Sequence, residues 1–251
     1  MKSSIASTSK KTLSIDIGGY HIKATVLDAR GRELTAFQSI VTPKPATPEK
    51  VLDAVKTLAV DFPPYDRISA GFPGYVKDGV VHTAPNLDNQ SWSQFNLSEK
   101  LSEALGKPAR VVNDADLLGL GVAKGKGLEM MITLGTGFGT AFINDGMLLP
   151  HIELAHHPVT TKETYDDYVG ERGFEAVGLI KWNKRMQRVI NILKTVFNYD
   201  FLYIGGGNSA NLNFKLDKNV KIVTNEDGIE GGLALWEQDK NSRKPLGKIS
   251  R

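Results

Sequence analysis

One order of signals occurs twice in this sequence: a strand, a glycine break and a hairpin. In the first copy Thr12-Leu-Ser-Ile-Asp-Ile17 reads as a strand that breaks at Gly18-Gly19. A second strand, Ile22–Asp28, leads to a turn at Ala29-Arg30-Gly31, and a third runs to about Val41. In the second copy Met130–Leu134 is a strand, Gly135–Gly139 a glycine loop and Thr140–Asn144 the next strand. Asp145-Gly146, the strongest two-residue hairpin signal in the chain, then leads to Met147–Leu149. A duplicated α/β unit accounts for this order, and a chance recurrence of common α/β parts remains the alternative.

Helices are predicted between and after these units. Thr47 can cap a helix with Pro48 in its first turn, and Val51, Leu52, Val55, Leu58 and Ala59 form its apolar stripe. A strand at Arg67–Phe72 ends in Pro73-Gly74. A helix over roughly Leu97–Leu105 starts from Asn96 with Glu99 three residues on, and Gly106 and Pro108 stop it. The strand Ala109–Asn113 delivers Asp114. Later, Met186, Val189, Ile190, Leu193, Val196 and Phe197 share one helical face, followed by the strand Phe201–Ile204 and Gly205-Gly206-Gly207. Asp227–Gly232 opens a closing helix through Trp236.

The length, 251 residues, suits one large domain or two smaller ones, and 41% hydrophobic with 24% charged residues marks an ordinary globular chain. A net charge of +3 with dispersed Lys and Arg provides no continuous basic surface for nucleic acid. The absence of cysteine excludes disulfides, thiolate metal sites and thiol nucleophiles, and fits a reducing compartment. There is no apolar run long enough for a membrane span, and Met1–Lys11 reads as a mobile leader without a secretory core.

Glycine turns after strands let backbone N–H groups approach phosphate oxygens, because no Cβ stands in the way. Gly18-Gly19, Gly135–Gly139 and Gly205–Gly207 are such turns, although tight structural turns use the same residues. Neither a P-loop nor a dinucleotide fingerprint is present. Asp16, at a strand end before the first turn, is placed to hold Mg²⁺ directly or through water; its alternative is a turn cap. Asp114 is placed to take the proton of an attacking hydroxyl, or to cap a helix.

Taken in order, Asp16-Ile-Gly-Gly19 with Lys23, Gly71-Phe-Pro-Gly74, Ala84-Pro-Asn-Leu87, Asn113-Asp-Ala-Asp116, Leu134-Gly-Thr-Gly137, Glu153-Leu-Ala-His156 and Ile204-Gly-Gly-Gly-Asn208 form one set. The set resembles the ROK sugar kinases, and within them the polyphosphate glucokinase-like branch, over about residues 12–237. The resemblance implies the actin-like, ribonuclease H-like duplicated α/β fold with a cleft between two domains. Residues 12–113 would form the small domain and 114–240 the large one, with 241–251 as a tail or the end of the returning helix. It also implies glucokinase-type transfer from polyphosphate or ATP, with Mg²⁺, to the 6-hydroxyl of glucose or mannose. Asp114 would be the base, and Asn86, Asn113, Glu153 and His156 would bind the sugar. Asp16, Gly18, Gly19, Lys23, Gly135, Thr136, Gly137, Gly205, Gly206 and Gly207 would line the phosphate and nucleotide sites, with Asp16 as the Mg²⁺ ligand. The cysteine-bound zinc of many ROK proteins is not available to this chain. A cytoplasmic homodimer without nucleic-acid or membrane partners is the implied setting.

Three positions depart from the family pattern. Tyr20 and His21 replace a small hydroxyl residue and a glycine after the double glycine, and Ala155 replaces the glycine of Glu-x-Gly-His. Tyr20 is expected to bring a ring toward the phosphate, which leaves a catalytically silent sugar-binding protein as the rival reading. A transcriptional regulator is set aside, because about eleven residues before the first strand are too few for a helix-turn-helix. His151 and His157 read as surface or packing residues; Lys124, Lys126 and other scattered lysines could contribute to a basic track for polyphosphate, although a solvated surface is the commoner fate of such residues.

Overall fold

The computed structural model describes residues 10–224 and 226–238. The expected leader, apart from Lys10 and Lys11, and the expected tail at 241–251 lie outside the described residues. In the first half, β1 (Thr12–Ile17), β2 (His21–Leu27) and β3 (Gln38–Val41) precede α1 (Pro48–Ala59) and β4 (Arg67–Phe72). A small three-stranded sheet follows: β5 (Val76–Lys77), β6 (Val80–Val81) and, after the single turn α2 (Asn89–Trp92), β7 (Phe95–Asn96). Then come α3 (Leu97–Leu105), β8 (Ala109–Asn113) and α4 (Asp114–Val122).

The second half has β9 (Leu128–Leu134), β10 (Phe138–Asn144) and β11 (Met147–Leu148), then α5 (Tyr165–Val169) and the long α6 (Glu171–Phe197). It ends with β12 (Phe201–Gly205), β13 (Val220–Ile222) and the single turn α7 (Gly231–Ala234). The expected closing helix is therefore shorter than predicted, with turns on either side of it.

The two main sheets decide the question of duplication. Their orders are β3-β2-β1-β4-β8 and β11-β10-β9-β12-β13. In each, the first strand pairs antiparallel with the second and parallel with the strand after the helix, and the next strand continues in parallel. One topology, with the same strand directions, is thus built twice. The Asp145-Gly146 turn has positive φ at both residues, 49° and 81°, as a tight hairpin requires.

Each sheet buries its own apolar face. Leu13, Ile15, Ile17, Val51, Val55, Phe72 and Trp92 fill the first core, and Met130, Ile132, Leu134, Trp182, Met186 and Leu193 the second. Burying each such side chain contributes roughly 1.5–3 kcal/mol. On α6, Val196 is 61% exposed, contrary to its expected core position. Val196 lies only about 20° around the helix from buried Val189, so its exposure goes with its place in the last turn of α6, one residue before the helix ends. Thr47 occupies the N-cap of α1 in extended conformation, but its hydroxyl makes no capping bond. Asn96 does cap α3, accepting from Glu99 N at 3.1 Å.

A third cluster, with Leu117, Leu120, Met131, Ala141, Ile143 and Tyr203, lies under α4. This helix packs against β4 of the first sheet and β9 and β10 of the second, so it belongs to the junction of both. The chain's last described segment also returns to the first sheet. Trp236 Nε1 donates to Ser69 Oγ at 2.9 Å, and the Arg110 and Arg67 guanidinium carbons stand 4.3 and 5.2 Å from its ring centroid. Trp236→Ala should lower stability by about 2–4 kcal/mol in urea unfolding, through lost burial and cation–π contact. A midpoint equal to that of the parent would show that this docking carries no weight.

Candidate active site

A cavity of about 330 Å³ opens between the two main sheets. From the first half it is lined by Asp16, Gly18, Gly19, Lys23, Asn86, Asn113 and Asp114, and from the second by Gly135, Thr136, Gly137, Glu153, His156 and Gly206. Those are thirteen of the sequence-predicted positions. Gly205 and Gly207 are not in its wall: Gly205 is buried against Met131 and Leu118, while Gly206, at φ 84°, faces the cavity.

The approach of Asp114 to the first sheet is set by glycine. A Cβ on Gly71 of β4 would stand 3.2 Å from the Asp114 Cα, so the start of α4 sits directly on that strand. Asn113 caps the helix: its Oδ1 accepts from Ala115 N at 2.8 Å and Asp116 N at 3.3 Å, while its Nδ2 donates to Gly74 O at 3.1 Å. The Gly71–Gly74 motif therefore seats both Asn113 and Asp114. Ala115 N also donates to Asp114 Oδ1 at 2.8 Å.

Burial, followed by the nearby Asp16 carboxylate, pushes the Asp114 carboxyl up to about 7. Burial likewise raises Asp16, and Lys23, its cross-strand partner, opposes that rise. The Asp16 carboxylate makes no hydrogen bond among the described residues. Hard oxygen donors in this state suit Mg²⁺, which takes one or two carboxylates and completes its shell with water and phosphate. Among the described residues no group of three or more His, Asp or Glu is arranged to hold a metal ion by itself.

Two residues in the wall escaped the sequence reading. His151 is buried, with its side chain 5% exposed. Its Nδ1 lies 2.9 Å from Asp116 Oδ2 and its Nε2 2.9 Å from Glu153 Oε1. Against burial, the bonds to Asp116 and Glu153 raise its pKa to about 10, and the same contact lowers that of Glu153. The expectation of a surface or packing residue is thus corrected for His151; His157 is exposed as expected. Asp166 lies under the second glycine loop, where its Oδ1 accepts from Phe138 N at 2.6 Å. A Cβ on Gly137 would stand 2.9 Å from that oxygen, which leaves no room for a larger residue. Neither His151 nor Asp166 has a spacing signature that would reveal it.

Other expectations are altered by position. Tyr20 is 71% exposed and does not line the cavity; Lys44 Nζ stands 5.7 Å from its ring centroid and donates to Gly19 O at 3.0 Å. The ring therefore does not enter the first glycine turn, which removes the part of the motive for the silent-protein reading that rested on Tyr20. His156 is at the rim, 69% exposed, its Nε2 4.0 Å from Glu153 Oε2. Lys124 and Lys126 follow the far end of α4, about 13 Å from Asp114 along the helix, with their amides bound to buried Glu129. They do not line the cavity, and the lysines at its mouth are Lys23 and Lys44.

The ROK family model matches residues 12–152, more than half of the chain. The chain belongs to the ROK family. It is 32% identical over 238 residues to polyphosphate glucokinase of Mycobacterium tuberculosis, covering 89% of this chain and 86% of that one. It is also 37% identical over 142 residues to glucokinase of Streptomyces coelicolor, covering 53% of this chain and 43% of that one. Among solved structures it is similar to the inorganic polyphosphate/ATP-glucomannokinase of Arthrobacter sp. strain KM. That match has a TM-score of 0.80 at 32% identity, over 90% of this chain and 99% of the other. A ROK family glucokinase of Streptomyces griseus, solved with glucose and AMPPNP, shares the fold at a TM-score of 0.70 and 22% identity, over 90% and 98% of the two chains. The twin sheets are thus those of the actin-like fold.

Asp114 is held above its unfolded pKa of 3.8, so the folded state prefers its protonated form. Its contribution to stability is full below pH 3.8 and is lost as pH rises toward 7. Asp114→Asn should therefore raise stability by on the order of 2 kcal/mol at pH 8 and by far less at pH 4, in thermal melts across that range. An identical change at both pH values would show that the carboxyl is not strained by burial.

Proposed function

We propose that this protein transfers the terminal phosphoryl group of inorganic polyphosphate or ATP to the 6-hydroxyl of glucose, with mannose as a second acceptor. The observation that carries the reading is Asp114, a carboxyl with a pKa of about 7, in one cavity with both glycine turns. A base poised near neutral pH accepts a hydroxyl proton while remaining substantially ionised. The names of the relatives, polyphosphate glucokinase, glucokinase and polyphosphate/ATP-glucomannokinase, support the same substrates.

In this reading Asn86, Asn113, Glu153 and His156 hold the hexose. Glu153 Oε1 is engaged by His151, which leaves Oε2 to accept from a sugar hydroxyl. A hexose with the wrong hydroxyl pattern would leave such groups unpaired, and that selects strongly. The backbone amides of Gly19, Thr136 and Gly137 receive the donor phosphates, with Lys23 at their side, while the Gly18 and Gly135 amides hold the turns by donating to His21 O and Gly137 O. Gly206 is the member of the third glycine segment that reaches the donor; Gly205 supports it from the core, and Gly207 follows it. The sugar oxygen attacks the terminal phosphorus, its proton passes to Asp114, and ADP or a shortened polyphosphate leaves. Asp16 would hold Mg²⁺, directly or through water, and that ion supplies charge neutralisation on the donor.

The same reading divides the chain into a small lobe, 12–113, and a large lobe, 114–240, whose approach would exclude water from the cavity. The contact of Trp236 with Ser69 supports a link that ties the end of the chain to the small lobe. A cytoplasmic homodimer is part of this proposal, as the resemblance implies.

Purified protein with Mg²⁺, glucose and each donor in turn should yield glucose 6-phosphate; no product with either donor would end the reading. Asp114→Ala should lower kcat by about 10²–10⁴-fold with a much smaller change in sugar KM. In the parent enzyme kcat/KM should climb as pH rises through about 7, as Asp114 ionises. A flat profile between pH 5 and 9 would remove Asp114 from the role of base.

A further inference from the structure

His151 is the one buried histidine among the described residues whose two ring nitrogens both meet carboxylates. One carboxylate, Asp116, sits in the first turn of α4, two residues after Asp114; the other, Glu153, lies in the loop after β11. Tyr75, from the segment after β4, stacks on the same imidazole with centroids 5.9 Å apart and planes at 22°. On its other side Tyr75 stacks on His82 at 5.0 Å. The histidine therefore joins three separate parts of the cavity wall, and Tyr75 brings a contact from the first half of the chain to a residue of the second.

The protonation state follows from donor counting. An ionised carboxylate only accepts, and a neutral imidazole has a single N–H, so with both carboxylates ionised the two can be satisfied only by the cation. The face of the Tyr75 ring also favours a cation over a neutral ring. The opposing influence is burial, and it is outweighed by two charge-assisted bonds. The charged groups facing the imidazole are Asp116, Glu153 and, at longer range, Asp114; His156 lies beyond Glu153.

We propose that His151, as a buried imidazolium, is a positioning residue that locks Glu153 for hexose binding and ties it to the helix carrying Asp114. The proposal rests on the sugar-kinase reading and assigns a role to a residue outside the substrate contacts. Two consequences follow from the geometry. With Oε1 of Glu153 anchored, Oε2 presents one lone-pair direction to the sugar, so loss of the anchor should act on the hexose and spare the donor. With its positive charge near Asp114, the imidazolium also holds the pKa of that base below the value it would otherwise reach. Thr140 assists from behind, its Oγ1 donating at 2.7 Å to the carbonyl of Ile152, next to Glu153.

Two substitutions separate the hydrogen bonds from the charge. His151→Leu removes both and should raise glucose KM at least tenfold with donor KM changed less than twofold. It should also move the acid limb of kcat/KM upward by half a pH unit or more. His151→Gln keeps a donor and an acceptor of similar reach; it should recover much of the glucose KM while the shifted acid limb remains. A glucose KM and a pH profile both equal to the parent's in either variant would overturn the proposal, as would equal losses toward glucose and donor.

An independent readout covers a variant that fails to fold and a parent that proves inactive. In parent protein carrying ¹⁵N-histidine, one of the five imidazoles should remain doubly protonated at pH 8.5, and its signals should vanish in His151→Gln. All five neutral at that pH would overturn the proposal whatever the enzyme's activity. A persistent imidazolium in a protein that phosphorylates no sugar would instead fault the kinase reading while leaving the clamp in place.

Discussion

Besides Asp166 under the second glycine loop, four carboxylates crowd one cleft, and their charge is the constraint around which the site is built. Asp16, Asp114, Asp116 and Glu153 line or back the same cavity wall, and burial works against ionisation of the three aspartates. Fixed positive charge comes from Lys23 beside Asp16 and from His151 between Asp116 and Glu153. Asp114 receives neither as a direct partner, only the amide of Ala115 and the start of α4. Its carboxyl is therefore held well above the usual carboxylate range, and a base of that kind is what the proposed hydroxyl attack on a phosphoryl group would require. Compensation of its neighbours and strain at Asp114 are two parts of one electrostatic arrangement.

That arrangement depends on α4 being thin. The helix lies between two sheets and must approach both, so side chains are replaced by hydrogen at the points of contact. A Cβ on Gly119 would stand 3.0 Å from Ile143 and 3.2 Å from Ala141, and one on Gly121 would collide with the backbone of Gly228. From the first sheet Gly71 meets the Asp114 Cα in the same way. Glycine weakens an isolated helix by roughly 1 kcal/mol per residue, but here it admits packing on both faces. The loss of intrinsic propensity is offset by the buried contacts of Leu117 and Leu120.

The same glycines explain what the sequence did and did not reveal. The strand, glycine and hairpin order was legible because it is local: in each copy a strand, a glycine break and a turn lie within about thirty residues of one another. Its recurrence as a single sheet topology follows from that local order. The helix after Asp114, in contrast, showed only in the alternative that Asp114 caps one, since Gly119 and Gly121 signal loops unless the second sheet behind them is known. Val196 failed as a core residue for a related reason, because a six-residue stripe cannot say how far along the helix the neighbouring sheet reaches. His151 carries no local signal at all: Asp116 is thirty-five residues away in sequence, and only tertiary folding brings them together. The thirteen predicted positions that the cavity brings together were legible because they sit in short motifs. The residues that tune them were not, because tuning comes from contacts between elements.

The first phosphate turn illustrates how position overrides identity. A tyrosine after Gly18-Gly19 would obstruct a donor if its side chain entered the loop. Thr42 instead donates from Oγ1 to the Gly18 carbonyl at 2.7 Å and from its amide to the Tyr20 carbonyl at 2.9 Å. Those bonds fasten the turn to the end of β3 and leave the ring outside, with Lys44 over it. The substitution thus converts a contact inside the loop into a cationic, aromatic lip at the entrance. Long anionic donors would meet Lys44 and Lys23 there, whereas the lysines at the far end of α4 are a full helix length away. Charge at a phosphate site acts over a few ångströms in physiological salt, because exposed charges more than about 8 Å apart are largely screened. In the proposed reading, donor recognition would accordingly be a property of the β1–β2 turn and its lip, and the general basicity of the chain would have little part in it.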